Sequence, residues 1–266
     1  MEHMTRRSVA QYLCAPRQNV LVLGTVDSTN TNLKYLAQEG AAGGTVLIAN
    51  EQMAGRGRMG RTYQSKEGLG VYLSILFRPT RPLQQLMALP ALGAVAACRA
   101  VARVSGLLMQ IKWPNDLVAQ GKKLGGILCE SVSDPTYGTA VIMGIGINVC
   151  HRAENFDGAV AELAASLEML TGKTVSCSAL AAALVEELDI LRREALDAPQ
   201  LWLEEYRRLC LTVGKEVQLI TGDERRLATA LDIDEDYGLV VREGDGTVQT
   251  VRSGEVSVRG LYGYAP

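Results

Sequence analysis

The sequence contains no apolar run as long as the ~18–20 residues that a helix needs to cross a bilayer. Its first residues, MEHMTRRSVAQYL, include two arginines but no uninterrupted apolar stretch of the kind that a secretory signal peptide has. The formal net charge of −2 gives no global positive field that could hold a nucleic-acid backbone. We therefore expect a cytoplasmic protein that binds neither membranes nor DNA.

Metal-binding and disulfide patterns are missing as well. The six cysteines are scattered without CxxC spacing, and the two histidines, His3 and His151, add no metal-ligand cluster. Such cysteines are ordinarily free thiols in a reducing compartment. The sequence predicts a protein without a structural zinc site.

Strand and helix patterns alternate up to about residue 211. Apolar runs predict strands at 20–24, 45–50, 69–77, 107–112, 126–130 and 139–147. Amphipathic or Ala/Leu-rich stretches predict helices up to Gly40, at 83–105, 157–171 and 178–195, and from Pro199. We expect Pro90 to disturb the second of these helices. After residue 212, short β-like runs are separated by turns. The prediction is an α+β body at 1–211, followed by a small SH3-sized β-barrel at 212–266.

The most informative segment is the basic glycine loop at 55–61, GRGRMGR. Its three arginines and three glycines combine close backbone approach with forked donors for carboxylate or phosphate oxygens. The glycines satisfy the dinucleotide pattern GxGxxG, but they lead into the turn-like RTYQSKEGLG and another strand instead of opening a helix. We interpret the segment as an anion-binding loop and reject the Rossmann interpretation. A solvated turn with incidental arginines is the alternative.

Two further basic clusters follow, KWPND at 112–116 and KKLGG at 122–126. Pro114 favours a turn, so a plain hairpin with solvated lysines is one interpretation. Beside a separate arginine–glycine loop, the two clusters favour an anion site assembled from several strands. Such a site fits a substrate that contains phosphates, with Asp116 available near a Mg²⁺ ion.

In this order, the motifs resemble those of bacterial biotin–protein ligases, also called biotin–[acetyl-CoA-carboxylase] ligases. The matching segments are 27–30, 51–61, 112–116, 123–128, 144–148 and 253–260. The resemblance implies a mixed, largely antiparallel sheet with helices, like the catalytic domain of class II aminoacyl-tRNA synthetases, plus a C-terminal SH3-like β-barrel. It also implies an ATP-dependent enzyme that converts biotin into biotinyl-5'-AMP and transfers biotin to a lysine of a biotin carboxyl carrier domain.

The resemblance further implies roles for individual residues. The catalytic residues would be Lys123, Arg56 and Arg58. Biotin would be bound by Ser28, Thr29, Asn30, Gln52, Gly55, Arg56, Arg58, Lys123, Gly125 and Gly126. ATP or the adenylate would be bound by Arg58, Arg61, Tyr63, Lys112, Asn115, Asp116 and Asn148, with Asp116 as a possible Mg²⁺ ligand. For Ser28 and Thr29, a helix N-cap is an alternative that can coexist with ligand binding, and Asn148 could simply end a strand.

Two departures from the family pattern matter. Tyr63 stands where the family often has a tryptophan that stacks on adenine, and a tyrosine offers less stacking area. Only about twenty residues precede the first predicted strand, so the sequence resembles the ligase-only type, without an N-terminal DNA-binding domain. The family often forms homodimers, and we list a homodimer as one possible state.

Three other functions stay open at this point. A lipoate–protein ligase would use the same broad fold, but lipoate lacks the ureido ring of biotin. A non-catalytic sensor of biotin or a nucleotide would use the same cavity without chemistry. A nucleic-acid-binding protein is suggested only by the RG-containing loop and the terminal barrel. If the protein is a ligase, we expect the loop at 55–61 to be mobile when empty and to close over the adenylate, because an anhydride must be shielded from water.

Overall fold

The computed structural model describes residues 2–79, 86–158, 161–221 and 223–252, and the backbone of 257–260. Its centre is a sheet of β1 (Val20–Val26), β2 (Val46–Gln52), β3 (Gly70–Phe77), β4 (Gln110–Lys112), β5 (Asp116–Ala119), β6 (Lys122–Asp134) and β7 (Gly138–Asn148). The order across the sheet is β1-β2-β3-β7-β6-β5-β4. β1 and β2 are parallel, and every other neighbouring pair is antiparallel. The prediction of a mixed, largely antiparallel sheet is confirmed.

Both faces of the sheet are covered, because the central strands are apolar on both sides. The helices are α1 (Arg6–Ala10), α2 (Thr29–Gln38), α3 (Leu89–Ser105), α4 (Leu167–Thr171), α5 (Cys177–Ile190) and α6 (Leu203–Leu209). Along β3, Leu73 and Ile75 belong to the large core beneath α3 and α5. Leu76 points to the opposite face, where it packs with Leu33 of α2 in a smaller cluster. In the described ranges, no helix combines the length and the apolarity that crossing a membrane requires.

Several boundaries differ from the sequence predictions. Pro90 does not disturb a helix, because α3 begins at Leu89 and places the proline in its first turn, where a missing N–H costs nothing. Residues 83–85 of that prediction lie outside the described residues. The helix predicted at 178–195 is α5 followed by a short π-helix at Leu191–Ala195. The helix predicted from Pro199 is a 3-10 turn followed by α6.

The helix predicted at 157–171 is wrong over most of its length. Residues 159–160 lie outside the described residues, and among the rest of 157–171 the α-helix is α4 (Leu167–Thr171). Its N-terminus is capped by the Ser166 hydroxyl, which accepts a hydrogen bond from the N–H of Met169. The preceding residues instead form backbone bonds with β6. Lys123 N donates to Leu163 O at 2.7 Å, and Ala165 N donates to Lys123 O at 2.9 Å. Tertiary pairing therefore replaces the local helix.

The segment after residue 212 forms a separate antiparallel sheet, as predicted. Its strands are β8 (Glu216–Thr221), β9 (Glu224–Ile233), β10 (Leu239–Glu243), β11 (Val248–Val251) and β12 (Ser257–Gly260), in the order β11-β10-β9-β8-β12. The buried Trp113 links this sheet to the first one, because its indole N–H donates to Tyr237 O at 3.0 Å. Residues 253–256 of the matching C-terminal motif lie outside the described residues.

Candidate active site

A cavity of about 580 Å³ opens between the start of α2, the basic loop at 55–61, the β4–β5 turn and strands β6 and β7. The predicted site residues that line it are Ser28, Thr29, Asn30, Gln52, Arg56, Arg58, Arg61, Tyr63, Lys112, Asn115, Asp116, Lys123, Gly125, Gly126 and Asn148. These residues come from five separate stretches of the sequence, at 28–30, 52–63, 112–116, 123–126 and 148. The fold therefore brings together every predicted site residue except Gly55.

Gly55 serves the geometry of the loop and is not part of the cavity wall. A Cβ at this position would lie 2.4 Å from the carbonyl oxygen of Tyr63 and 2.8 Å from Ser65 Oγ. The absence of a side chain lets the two sides of the loop approach each other, and Tyr63 N donates to Gly55 O at 2.9 Å. The prediction that Gly55 contacts biotin is thus not supported by its position.

The charge of the cavity wall is strongly positive. Among the described residues that line it, five are cationic (Arg56, Arg58, Arg61, Lys112 and Lys123), and Asp116 is the one carboxylate. Burial lowers the pKa of Arg58, while the attraction of Asp116 opposes that effect. Cations that are partly removed from water interact strongly with an anion. The cavity is suited to a ligand with several negative charges.

The basic half of the cavity is held by a small set of polar contacts. Lys123 Nζ lies 2.6 Å from Asp116 Oδ1, and the Arg58 guanidinium donates to Asn115 Oδ1 at 3.1 Å. Asn115 in turn donates to Ile127 O at 2.5 Å, which fixes its amide against β6. Lys112 and Asp116 pair across the β4–β5 hairpin, and Trp113, Pro114 and Asn115 form its turn. The two interpretations of KWPND are therefore compatible, since the hairpin turn itself lines the cavity.

The opposite half is polar and nearly neutral. Ser28 occupies the N-cap position of α2, but its hydroxyl makes no capping bond, so the capping alternative does not hold for its side chain. The N–H of Thr29 donates to Gln52 Oε1 at 2.8 Å, and the Thr29 hydroxyl lies 3.0 Å from the same oxygen. Gln52 Nε2 donates to Ser65 Oγ at 2.8 Å. A buried set of hydroxyl and amide groups can select a ligand with matching donors and acceptors.

Tyr63 lies between the two halves, against the backbone of β7. Its ring would be 2.6 Å from a Cβ on Gly146, so a glycine is needed there for the ring to lie against the strand. Its hydroxyl donates to Asn148 Oδ1 at 3.1 Å, and Asn148 Nδ2 donates to Ala165 O at 3.2 Å. Burial raises the pKa of Tyr63, so the phenol stays protonated. Stacking of Tyr63 on adenine stays a prediction.

Other residues of the site were not predicted from the sequence. Ser74 is fully buried on β3, and its hydroxyl donates to Asn30 Oδ1 at 2.7 Å and lies 2.7 Å from Thr29 Oγ1. Gly144 leaves room for Asn30, whose Oδ1 would be 2.4 Å from a Cβ there. Glu130 accepts a hydrogen bond from Asn30 Nδ2 at 2.8 Å. The lone serine in the apolar strand LGVYLSILF is a signal that could have identified Ser74.

Comparison with known proteins agrees with this geometry. The Biotin/lipoate A/B protein ligase family matches residues 22–148, and the biotin protein ligase C-terminal domain matches residues 212–259. The first match includes the basic loop, the β4–β5 hairpin and strands β6 and β7, which build the cavity. The fold and the site thus define a protein of the biotin/lipoate ligase class.

Individual relatives narrow the class. The biotin–[acetyl-CoA-carboxylase] ligase of Mycobacterium tuberculosis is 32% identical over 241 residues, which are 88% of this chain and 87% of that protein. The bifunctional ligase/repressor BirA of Bacillus subtilis is 31% identical over 246 residues, 91% of this chain and 74% of the relative. The structure of a biotin protein ligase from Aquifex aeolicus in complex with biotin and ATP has a TM-score of 0.78 at 28% identity, and the match covers 92% of this chain and all of that one. The chain belongs to the biotin protein ligase family.

Proposed function

We propose that the protein is a biotin–protein ligase. It uses ATP to convert biotin into biotinyl-5'-AMP and pyrophosphate, and then transfers biotin to a lysine of a biotin carboxyl carrier domain. The observation that supports this most directly is one cavity lined both by five cations and by matched hydroxyl and amide groups. Such a cavity can hold a polyphosphate beside a neutral polar ring.

The first step joins two anions, so the cavity must offset their repulsion. A biotin carboxylate oxygen attacks the α-phosphorus of ATP, the bond from that phosphorus to the bridging oxygen breaks, and pyrophosphate leaves. Lys123, Arg56 and Arg58 neutralise the carboxylate and the phosphates. Lys123 is positioned from two sides, by Asp116 at its ammonium group and by Leu163 at its backbone.

Magnesium enters this proposal with the nucleotide. A Mg²⁺ ion prefers phosphate oxygens, water and one or two carboxylates as ligands. Asp116 is the carboxylate that lines the cavity among its described residues, and it pairs with Lys123 at 2.6 Å. A carboxylate beside the phosphate site fits a Mg²⁺ ion that remains largely bound to ATP. Asp116 would hold the ion, and the ion would supply further neutralisation of the phosphates.

In the second step, the amine of a carrier lysine attacks the carbonyl carbon of biotinyl-5'-AMP. The amine loses a proton, the bond between the carbonyl carbon and the phosphate oxygen breaks, and AMP leaves. The name of the M. tuberculosis relative refers to acetyl-CoA carboxylase, and we propose the biotin carboxyl carrier domain of such an enzyme as the partner. The domain boundary at 211/212, the oligomeric state and the cytoplasmic location remain predictions.

The decisive experiment is biotinylation of a carrier domain. The protein is mixed with biotin, Mg²⁺-ATP and a purified biotin carboxyl carrier domain, and the intact mass of the carrier is measured. Lipoate replaces biotin in a parallel reaction, and a Lys123→Ala protein serves as the catalytic control. We expect a mass gain equal to one biotin, absent with lipoate and strongly reduced with the variant.

Other results separate the alternatives. Biotin-dependent release of pyrophosphate without carrier labelling would support adenylate formation and contradict the chosen carrier. A mass gain with lipoate alone would identify a lipoate ligase. Binding of biotin without pyrophosphate release or labelling would indicate a non-catalytic sensor.

A further inference from the structure

Glu130 lies on β6 just behind the cavity wall, where its carboxylate receives three donors. Oε1 accepts from the Lys34 ammonium at 2.6 Å, while Oε2 accepts from Asn30 Nδ2 at 2.8 Å and lies 3.5 Å from the Arg56 guanidinium. Asn30 and Arg56 line the cavity, and Glu130 does not. Glu130 therefore acts on a ligand only through these two neighbours.

The charge state of Glu130 determines what it can do. Burial by itself raises the pKa of this carboxyl group, but the hydrogen bonds from Lys34 and Asn30 outweigh burial, and the pKa of Glu130 is lowered. The group is thus an ionised carboxylate near neutral pH, and an ionised carboxylate can only accept hydrogen bonds. Every neighbour of Glu130 has to present a donor to it.

This requirement fixes the orientation of the Asn30 amide. Its Nδ2 faces Glu130 and also donates to Leu128 O at 3.3 Å, so its Oδ1 must face the other way. There it accepts from the Ser74 hydroxyl at 2.7 Å. Asn30 and Ser74 are both buried, so water does not compete for these bonds.

The fixed orientation continues along the polar half of the cavity. Because the one Ser74 proton is directed to Asn30 Oδ1, the 2.7 Å contact between Ser74 Oγ and Thr29 Oγ1 uses the proton of the Thr29 hydroxyl. The backbone N–H of Thr29 donates to Gln52 Oε1, which leaves Gln52 Nε2 to donate to Ser65. Glu130 thus sets the direction of the hydrogen bonds as far as the Thr29 hydroxyl, and the backbone N–H of Thr29 sets the direction at Gln52. Together they fix which donors and acceptors remain for a ligand.

We propose that Glu130 is a positioning residue for biotin, which sets the direction of the hydrogen bonds around the ureido ring. The inference rests on the proposed function, because the ureido ring is the part of biotin that needs such an arrangement. It has one carbonyl acceptor and two N–H donors in fixed positions. An Asn30 amide turned by 180° would present a donor where the ring requires an acceptor, or the reverse.

Glu130→Gln tests the role with almost no change in shape. Lys34 and Asn30 donate to different oxygens of Glu130, and Gln has an oxygen at only one of these two positions. The NH2 group of Gln must therefore face one of the two donors. If its nitrogen turns inward, Asn30 must turn as well. We expect the dissociation constant for biotin, measured by calorimetry on the full chain, to rise about tenfold, since one well-placed hydrogen bond to a charged group is lost. The dissociation constant for ATP should stay within about twofold of wild type.

A second substitution should restore binding. In Lys34→Met/Glu130→Gln, the amide nitrogen of Gln can turn outward into the place of the lysine, and its oxygen can again accept from Asn30. We expect the double variant to recover most of the lost biotin affinity, and Lys34→Met alone to bind nearly as wild type. Glu162→Gln is the matched control, because Glu162 is exposed and lies next to the cavity-lining Leu163. If Glu130→Gln weakened biotin binding through a general loss of structure, the added Lys34→Met substitution would not restore it.

Unchanged biotin affinity in Glu130→Gln, or a double variant as weak as Glu130→Gln, would overturn the proposal. Equal losses for biotin and ATP would also overturn it. Ser74→Ala removes the other partner of Asn30 and provides an independent test if Glu130→Gln does not fold; biotin binding at wild-type strength would count against the proposal. Wild-type protein is assayed alongside for carrier labelling. If the wild type neither labels the carrier nor releases pyrophosphate in the presence of biotin, the proposed function fails. If it does either, a negative result for the variants concerns Glu130 alone.

Discussion

Gly125 and Gly126 are adjacent on β6, but the structure gives them different reasons to lack a side chain. A Cβ on Gly125 would lie 2.1 Å from the carbonyl oxygen of Gly146, a backbone atom of the neighbouring strand β7. A Cβ on Gly126 would meet Asp116 Oδ1 at 3.4 Å and Asn115 O at 3.5 Å, which are ordinary contacts. We predict that Gly125→Ala destabilises the fold, whereas Gly126→Ala leaves the stability almost unchanged.

The size of the difference follows from these distances. In Gly125→Ala, β6 and β7 must separate where Gly125 pairs with Ile147, in the middle of the central sheet. Overpacking of this kind costs about 1–3 kcal/mol of unfolding free energy. Where the backbone can accept it, Gly→Ala changes the stability by only about 0.4–1 kcal/mol, in the favourable direction, because the unfolded chain loses freedom. The two variants should therefore differ by about 2 kcal/mol or more.

For ligand binding, we expect Gly126→Ala to have a direct effect, although it leaves the stability almost unchanged. The new methyl group of Gly126→Ala would stand inside the cavity wall, 3.9 Å from Lys123 Cε and next to Asp116. We expect it to raise the Michaelis constants for ATP and biotin severalfold in a protein that is otherwise as stable as wild type.

Urea unfolding measures the first effect directly. The two tryptophans, Trp113 and Trp202, are both buried and report on unfolding by fluorescence. Steady-state kinetics of carrier labelling measures the second effect. Equal unfolding free energies for the two variants, or a lower value for Gly126→Ala, would refute the assignment of Gly125 to the fold and of Gly126 to the ligand.

Three other substitutions test separate parts of the site. Tyr63→Phe keeps the ring but loses the hydrogen bond to Asn148, so the Michaelis constant for ATP should rise about two- to tenfold with that for biotin unchanged; an unchanged value for ATP would contradict the role of the hydroxyl. Arg58→Gly removes a cation that holds the phosphate, and we expect free biotinyl-5'-AMP to escape and label lysines of a bystander protein; complete loss of adenylate synthesis would count against this. Burial lowers the pKa of His151 to about 4, below the ~6.5 of a histidine in an unfolded chain. As the pH falls, the unfolded state therefore gains this proton first, and the free energy of unfolding should fall by about 2 kcal/mol between pH 7 and pH 5. His151→Phe should remove that part of the pH dependence in urea unfolding, and an unchanged slope would show that other groups cause it.

The sequence was most informative where one local pattern had only one physical solution. The basic loop at 55–61 lies between strands and does not open a helix, as the turn-like residues after it predict. The strands with apolar residues on both faces, β2, β3 and β7, were also found, because a fully apolar run of this length has to be buried. The motifs on these elements then brought nearly all predicted site residues into one cavity.

The sequence was least informative where tertiary contacts override local preference. The segment before α4 has a helical pattern, but its backbone pairs with Lys123, which no local rule can predict. β5 was not among the predicted strands, because its four residues give little strand signal. The resemblance assigns Gly55 to biotin, and that stays a prediction; its packing against Tyr63 and Ser65 became visible only in the structure.

Glu130 shows why the polar network also escaped a motif-based prediction. Asp116, the carboxylate of the cavity wall among the described residues, is paired with Lys123, whereas Glu130 lies behind the wall and can orient Asn30 without facing the ligand. Lys34 and Arg56 offset its charge at 2.6 and 3.5 Å, so the cavity keeps its positive character. In the role that we propose, Glu130 therefore acts on biotin from outside the binding motif. It is recognisable only once the structure shows which way its neighbours point.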